Sequence, residues 1–208
     1  TGFNPAFYNA DSVSAQQERI NQNPHFVYLA YFAPGVIKVG ISQEERGIRR
    51  LLEQGARLAL KLETFSSALI ARQYEAKIAR LDGVVETMPI HKKLELIKQH
   101  FDRADGEKKL QQKLLEIEQK IGVSFPKAEL ITCEDYFYTA GVDLTRVVLM
   151  KDQNQLAGRV RSIIGPILIV DYDGQLLAYN VKKFIGYQAQ TIDGVISIEI
   201  PSTQLALF

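Results

Sequence analysis

Tryptophan is missing from the 208 residues, methionine occurs twice, and cysteine occurs once, at Cys133. A single thiol can build neither a disulfide framework nor a cysteine-rich zinc centre. Net charge is nearly absent too: 25 Lys and Arg stand against 24 Asp and Glu, a formal +1. That balance removes the argument from composition alone that a strongly basic chain would make for nucleic acid. There is no apolar run of the 18 or so residues a membrane span needs, and no secretory leader is visible. A reducing, cytoplasmic setting is the expectation. The first residue is Thr1 rather than Met, which leads us to expect a segment upstream of it.

What remains is the composition of an ordinary globular chain, 46% hydrophobic and 24% charged. At this length it can form one domain or two smaller ones, each with a real core. Residues 1–24 are polar and broken by Pro5 and Pro24, a lead-in with a short helix expected from Ser14 to Ile20. The run Phe26 to Phe32 and the run Val36 to Gly40 are rich in β-branched and aromatic residues, and Ala33-Pro34-Gly35 between them is a turn signal. A three-residue loop there puts Tyr28 and Lys38 on one face, because facing positions then sum to an even number. A two-residue loop would put them on opposite faces.

Glu44 to Gln54 reads as a helix stopped by Gly55, with Arg46, Arg49 and Arg50 on one face and Ile48, Leu51 and Leu52 on the other. Leu58 to Phe65 reads as a third strand. Ser66 or Ser67 caps a helix running to about Leu81, whose apolar stripe is Ile70, Tyr74, Ile78 and Leu81, with Glu75 beside it. Local charge is more telling than the total. Lys38, Arg46, Arg49, Arg50, Arg57 and Lys61 face three Glu over the same stretch. This is a mild positive patch that phosphate would suit, or a solvated helix face. From Met88 to Ile121 the pattern stays helical, interrupted around Asp102 to Gly106, with Leu110, Leu114, Ile117 and Ile121 as its apolar stripe and Pro126 as its stop. Short β-rich runs follow, Val147 to Met150, Gly158 to Ile164, Ile167 to Val170, Leu176 to Tyr179 and Val195 to Ile200, broken by Asp173-Gly174 and Asp193-Gly194.

Val27-Tyr28, then Lys38-Val39-Gly40, then Arg50 and Glu75, stand in the order and spacing of the motifs of the GIY-YIG nuclease superfamily, which residues 25–125 resemble. The phrases Pro24 to Ala30, Lys38-Val39-Gly40 and Arg50 to Ala56 look closer still to an uncharacterised bacterial and archaeal family with a divergent domain of this kind. That second likeness covers roughly residues 1–100. The resemblance implies an α+β fold, a small antiparallel sheet flanked by helices; the short β-rich runs after Pro126 suggest that a β-rich, small barrel-like domain follows over residues 126–200. It also implies a metal-dependent DNA endonuclease. Tyr28 would orient or deprotonate the attacking water, Lys38 would lie beside it and lower its pKa, and Arg50 would stabilise the transferring phosphate. Glu75 would be the metal ligand, for Mg²⁺ or Mn²⁺. Gly40 lets backbones pass closely. Arg46, Arg49 and Arg57 would contact DNA. The chain departs from the pattern at Lys38, where a second tyrosine is usual, and at Gln54, where a His or Tyr is expected and which can be neither acid nor base. His25 is read as structural. Members of the closer family carry cysteine pairs upstream that resemble a zinc site, so any Zn²⁺ is expected only in a segment before Thr1.

The end of the chain is separate, residues 201–208. Gln204-Leu205-Ala206-Leu207-Phe208 resembles the peptide that binds the bacterial sliding clamp, with Leu205, Leu207 and Phe208 as apolar anchors and Gln204 making polar contacts at the pocket's edge. The alternative is a last strand that buries the same side chains. Taken together the expectation is a DNA nuclease of repair or replication recruited by the clamp, with no membrane partner. The alternatives are a catalytically inactive DNA-binding or clamp-associated adaptor and, further off, a scaffold with no role on nucleic acid.

Overall fold

The computed structural model describes residues 14–151, 154–188, 190, 192, 194 and 196–201. The clamp-like peptide and most of the lead-in lie outside the described residues. The fold is α+β, as expected: two small sheets with helices against the first.

The first sheet grows from the hairpin. Strand β1 (His25–Ala33) pairs antiparallel with β2 (Val36–Gln43) on one side and with β3 (Leu58–Phe65) on the other, so β1 is central. Its nine residues are all buried, which accounts for a continuous apolar run where a half-solvated strand would alternate. Tyr28 faces Gly40 and Ala30 faces Lys38, which puts Tyr28 and Lys38 on one face as expected. The reason differs from the expectation. Ala33 pairs directly with Val36, so the turn is the two residues Pro34 and Gly35, and a bulge between Tyr31 and Ala33 restores the parity that a two-residue turn alone would have broken.

Helix α1 (Ala15–Gln22) begins at Ser14, whose hydroxyl accepts from the Gln17 amide. Helix α2 (Gly47–Gln54) follows a short 3-10 turn at Glu44–Arg46 and ends on Gly55, left-handed at φ 74°. Helix α3 (Ala68–Ile78) starts at Ser67. Its buried stripe is Ala68, Ala71, Glu75 and Ile78, which corrects the expected Ile70 stripe: Ile70 is exposed and Glu75 lies within the buried face. A two-residue strand β4 (Val84–Val85) pairs parallel with Ile37 and Lys38. Helix α4 (Ile90–Ile97) and helix α5 (Arg103–Ile121) follow; α5 is capped by Asp102 and stopped by Gly122 at φ 67°, ahead of Pro126.

Strand β5 (Glu129–Thr132) then returns to the outer side of β3, so the first sheet runs β4-β2-β1-β3-β5. The second sheet contains β6 (Val148–Leu149), β7 (Arg159–Ile164), β8 (Ile167–Tyr172) and β9 (Gln175–Asn180), in the order β6-β9-β8-β7. Asp173-Gly174 makes the β8–β9 turn with positive φ at both residues, the backbone that Asp-Gly favours in a tight hairpin. Residues 196–200, expected in a strand, are not in one; Ile196 instead accepts a hydrogen bond from Tyr172 Oη at 2.8 Å.

The faces of β1 divide the core. Val27, Leu29 and Tyr31 pack under α3 and α5 with Ile78, Leu110 and Ile117. Phe26, Tyr28, Ala30 and Phe32 pack in one cluster with Leu94 and Ile97 of α4 and with Ile164, Ile167, Ile169 and Ala178 of the second sheet. The two sheets therefore share a core. Where α2 ends, the second sheet comes within backbone contact: a Cβ on Gly165, in the β7–β8 turn, would lie 2.6 Å from the Gly55 amide nitrogen.

Candidate functional site

Helices α1, α2 and α3 and the outer part of β2 enclose a cavity of about 310 Å³. Lys38, Gly40 and Ser42 reach it from alternate positions of β2, Arg46 and Arg50 from α2 and the turn before it, Arg72 and Glu75 from α3. Four sequence-expected residues, Lys38, Gly40, Arg50 and Glu75, are thus brought to one place from three elements.

Tyr28 lies beneath that floor. Its ring crosses Gly40, and a Cβ at position 40 would meet Tyr28 Oη at 2.5 Å and Cζ at 2.6 Å. Gly40 is there because no side chain fits. Tyr28 is fully buried, and burial pushes its phenol above the ordinary value; the Arg50 guanidinium opposes this without reaching hydrogen-bond geometry. The Tyr28 hydroxyl is the wrong group to hold a negative charge in this setting.

Lys38 is only 8% exposed and its Nζ donates to the Val39 carbonyl at 2.9 Å. Pairing with β4 means that β2 is not an edge at this residue. Burial lowers its ammonium to about 8, against the pull of Glu75 and Glu86, with Arg50 and Arg72 adding repulsion. It is a proton donor and acceptor poised close to neutral pH. Glu75 is 7% exposed and so lies inside rather than on a solvated helix face. Burial raises its carboxyl above the ordinary value, opposed first by Arg72, whose Nη1 donates to Oε2 at 2.5 Å, and then by Lys38.

The arginines expected at DNA fall into two groups. Arg46 and Arg50 line the cavity, and both pair with Glu53 across α2. Arg49 is exposed and does not line it. Arg57 is 4% exposed and is held inside: it donates to the carbonyls of Ile97 and Gln99, lies over the Phe101 ring and pairs with Glu134 at 3.6 Å. It ties α4 to the sheet and is a structural arginine, which corrects its expected place at DNA. Gln54 is buried; its carbonyl accepts from Lys93 Nζ at 2.5 Å.

Three contributors were not foreseen as parts of a site. Arg72 stands three residues before Glu75, the helical spacing of an ion pair, and that spacing was the available signal. His25 lines the cavity with Nδ1 2.8 Å from the Asn23 carbonyl. A carbonyl only accepts, so Nδ1 carries the proton. Burial lowers the ring's pKa, which leaves it neutral with Nε2 as the acceptor. Ser42 is the third; nothing in the sequence sets it apart from any other strand serine.

As a metal site the cavity offers Glu75, with Glu86 at its rim, and no group of three or more His, Cys, Asp or Glu converges among the described residues. Mg²⁺ keeps several waters and is commonly held by one or two carboxylates plus substrate phosphate. The donor set fits such a cation arriving with phosphate. With Lys38, Arg46, Arg50 and Arg72 against Glu75 and Glu86, the cavity favours anions.

A model of the family described as "Protein of unknown function (DUF2797)" matches residues 9–189. No curated protein and no solved structure matches the chain.

Proposed function

We propose, from the premise that the chain belongs to that family, that it is a metal-dependent phosphodiesterase acting on DNA, of the GIY-YIG type its motifs resemble. The observation that carries this reading is the convergence of Lys38, Gly40, Arg50 and Glu75 on one cationic cavity with Tyr28 directly beneath it. Arg46 and Arg50, from the start of α2, grip the phosphodiester and spread its charge. Lys38 passes a proton to or from the reacting oxygens, a task for which its value near 8 suits it better than Tyr28. Tyr28 braces Gly40 and Arg50 from below. Glu75 holds Mg²⁺ or Mn²⁺, which supplies Lewis-acid stabilisation of the phosphate charge when bound. The terminal peptide with Gln204, Leu205, Leu207 and Phe208 recruits the enzyme to the bacterial sliding clamp, which places it in repair or replication in the cytoplasm.

The test is cleavage of duplex, single-stranded and branched DNA with Mg²⁺ or Mn²⁺ by the wild type and by Glu75→Ala. Cutting by the wild type that is lost in the variant supports the nuclease; cutting that survives the substitution overturns the assignment of Glu75. A chain lacking residues 204–208 is expected to cut equally and to lose clamp binding in a pull-down with purified clamp.

One observation favours a second reading, an inactive DNA-binding or clamp-associated adaptor. Gln54 is buried and its carboxamide is neither acid nor base, so the position at which the resembling enzymes carry a His or Tyr supplies no proton. Salt-dependent DNA binding without cleavage under any metal would favour it.

A further inference from the structure

Three polar atoms are buried without a hydrogen-bond partner among the described residues near the cavity: Tyr28 Oη and Ser42 Oγ on the hairpin face that carries Lys38 and Gly40, and Arg50 Nε on α2. Tyr28 is 0% exposed and Ser42 4%. An unmet buried donor is costly, and native interiors rarely leave one. Here three occur together. Gly40, which lines the cavity, is pressed against Tyr28 Oη, and Ser42 lies two residues on, about 7 Å along the strand by the usual strand rise. That span is within the reach of one phosphoryl group and its hydrogen bonds.

All three atoms can donate, and the side chains around them are cationic: Lys38, Arg46, Arg50 and Arg72 outnumber Glu75 and Glu86. The occupant that satisfies them is rich in acceptors and negatively charged. We propose that Ser42 Oγ, with Arg50 Nε, seats the non-bridging oxygens of a phosphodiester above the Tyr28 hydroxyl, and that Ser42 is a substrate-binding residue of the cavity. The proposal rests on the phosphodiesterase reading and extends it to a residue outside the resembling motifs. Its other candidate occupant is an internal water, which would leave the cavity indifferent to phosphate.

The test uses the full chain without metal, so that binding is read apart from cleavage. Inorganic phosphate and a dinucleoside monophosphate are titrated by calorimetry into the wild type, Ser42→Ala and Ser42→Thr. We expect saturable binding of the diester to the wild type, at least fivefold weaker binding to Ser42→Ala, and near-normal binding to Ser42→Thr, which keeps the hydroxyl. Ser42→Ala should melt at or above the wild type, because it removes a hydroxyl that has no protein partner. If the alanine variant does not fold, Ser42→Cys, close in shape and a weak donor, is expected to show the same loss. Equal binding by wild type and Ser42→Ala overturns the seat, as does no binding to either. Binding of phosphate with none of the diester overturns the diester assignment in favour of a monoester. The two readings fail separately: diester binding lost on Ser42→Ala in a protein that cuts nothing keeps the seat and removes the nuclease, whereas cleavage with Ser42→Ala binding unchanged does the reverse.

Discussion

Gly40 and Tyr28 face each other across β1 and β2, and the tyrosine ring occupies the space where a side chain at position 40 would be. The contact is directional: a methyl at position 40 would stand 2.5 Å from Tyr28 Oη, and both strands are fixed by their neighbours. Gly40→Ala should therefore destabilise the fold by about 1–3 kcal/mol, the usual cost of overpacking a core. The mutation acts through Tyr28, so pairing it with Tyr28→Leu should recover more than 1 kcal/mol relative to the sum of the single changes. A double-mutant cycle by urea unfolding measures this; strict additivity would mean that the two residues do not meet.

The buried lysines set a pH dependence. Folding lowers Lys93 to about 7 and Lys38 to about 8, both chiefly by burial. An unfolded lysine keeps its proton to about 10.4, so above pH 7 the unfolded chain binds more protons than the folded one. Stability should thus rise from pH 7 to about 9. The rise slackens above about pH 9, where Cys133, pushed up to about 12 by burial, keeps a proton that the unfolded chain loses, and it reverses only above about pH 10, where the unfolded lysines lose their protons too and Tyr28, also raised, keeps its own. Lys93→Met should flatten the rise between pH 7 and 9. Denaturant midpoints at pH 7, 8 and 9 test it; an unchanged slope in the variant would assign the dependence elsewhere.

Glu75→Gln should separate grip from chemistry. The substitution keeps the shape of a buried side chain that Arg72 engages while removing its negative charge from a cationic cavity. Cleavage should fall by at least a thousandfold while affinity for DNA holds or improves, since one repulsive charge toward phosphate is gone. Gel-shift and cleavage assays on one preparation decide it, and parallel loss of both would mean that Glu75 serves the fold.

Arg57→Met should cost about 2–4 kcal/mol, since it leaves the carbonyls of Ile97 and Gln99 without their donor. It should leave affinity for DNA per folded molecule unchanged. A variant of full stability with weakened DNA binding would return Arg57 to the interface.

How far the sequence carried depends on which kind of signal each element left. β3 begins and ends where its alternation and flanking residues place it, and Gly55 stops α2 as a left-handed residue should. The hairpin faces came out as expected although the turn is shorter, because a bulge has no residue signature of its own. Helix α3 was misread at Ile70, which is exposed, whereas Ile78 lies inside and Tyr74 packs partly buried against the core as expected; the small residues Ala68 and Ala71 are what the sheet admits at close range, and Glu75 follows them inside. Arg57 and Lys93 illustrate a second limit. Their charges are engaged by carbonyls 40 and 39 residues away in the chain, and no local pattern announces such a partner. Strand β5 was hidden for the same reason, since Glu129–Thr132 owes its pairing to the waiting edge of β3. Ser42 is legible only once its neighbours are seen to leave it unpaired.

The contact between Gly55 and Gly165 bears on how this chain can be rearranged by evolution or in the laboratory. Main chain meets main chain there, so no side chain is available to adjust the fit when one partner changes. The helix that presents Arg50 and the hairpin of the second sheet must then be inherited as a matched pair. A chimera joined near residue 126, importing a second sheet from a distant relative, would need a glycine at both positions and the same turn geometry. A graft that met neither condition would lift the end of the helix and carry the arginine away from the cavity with it.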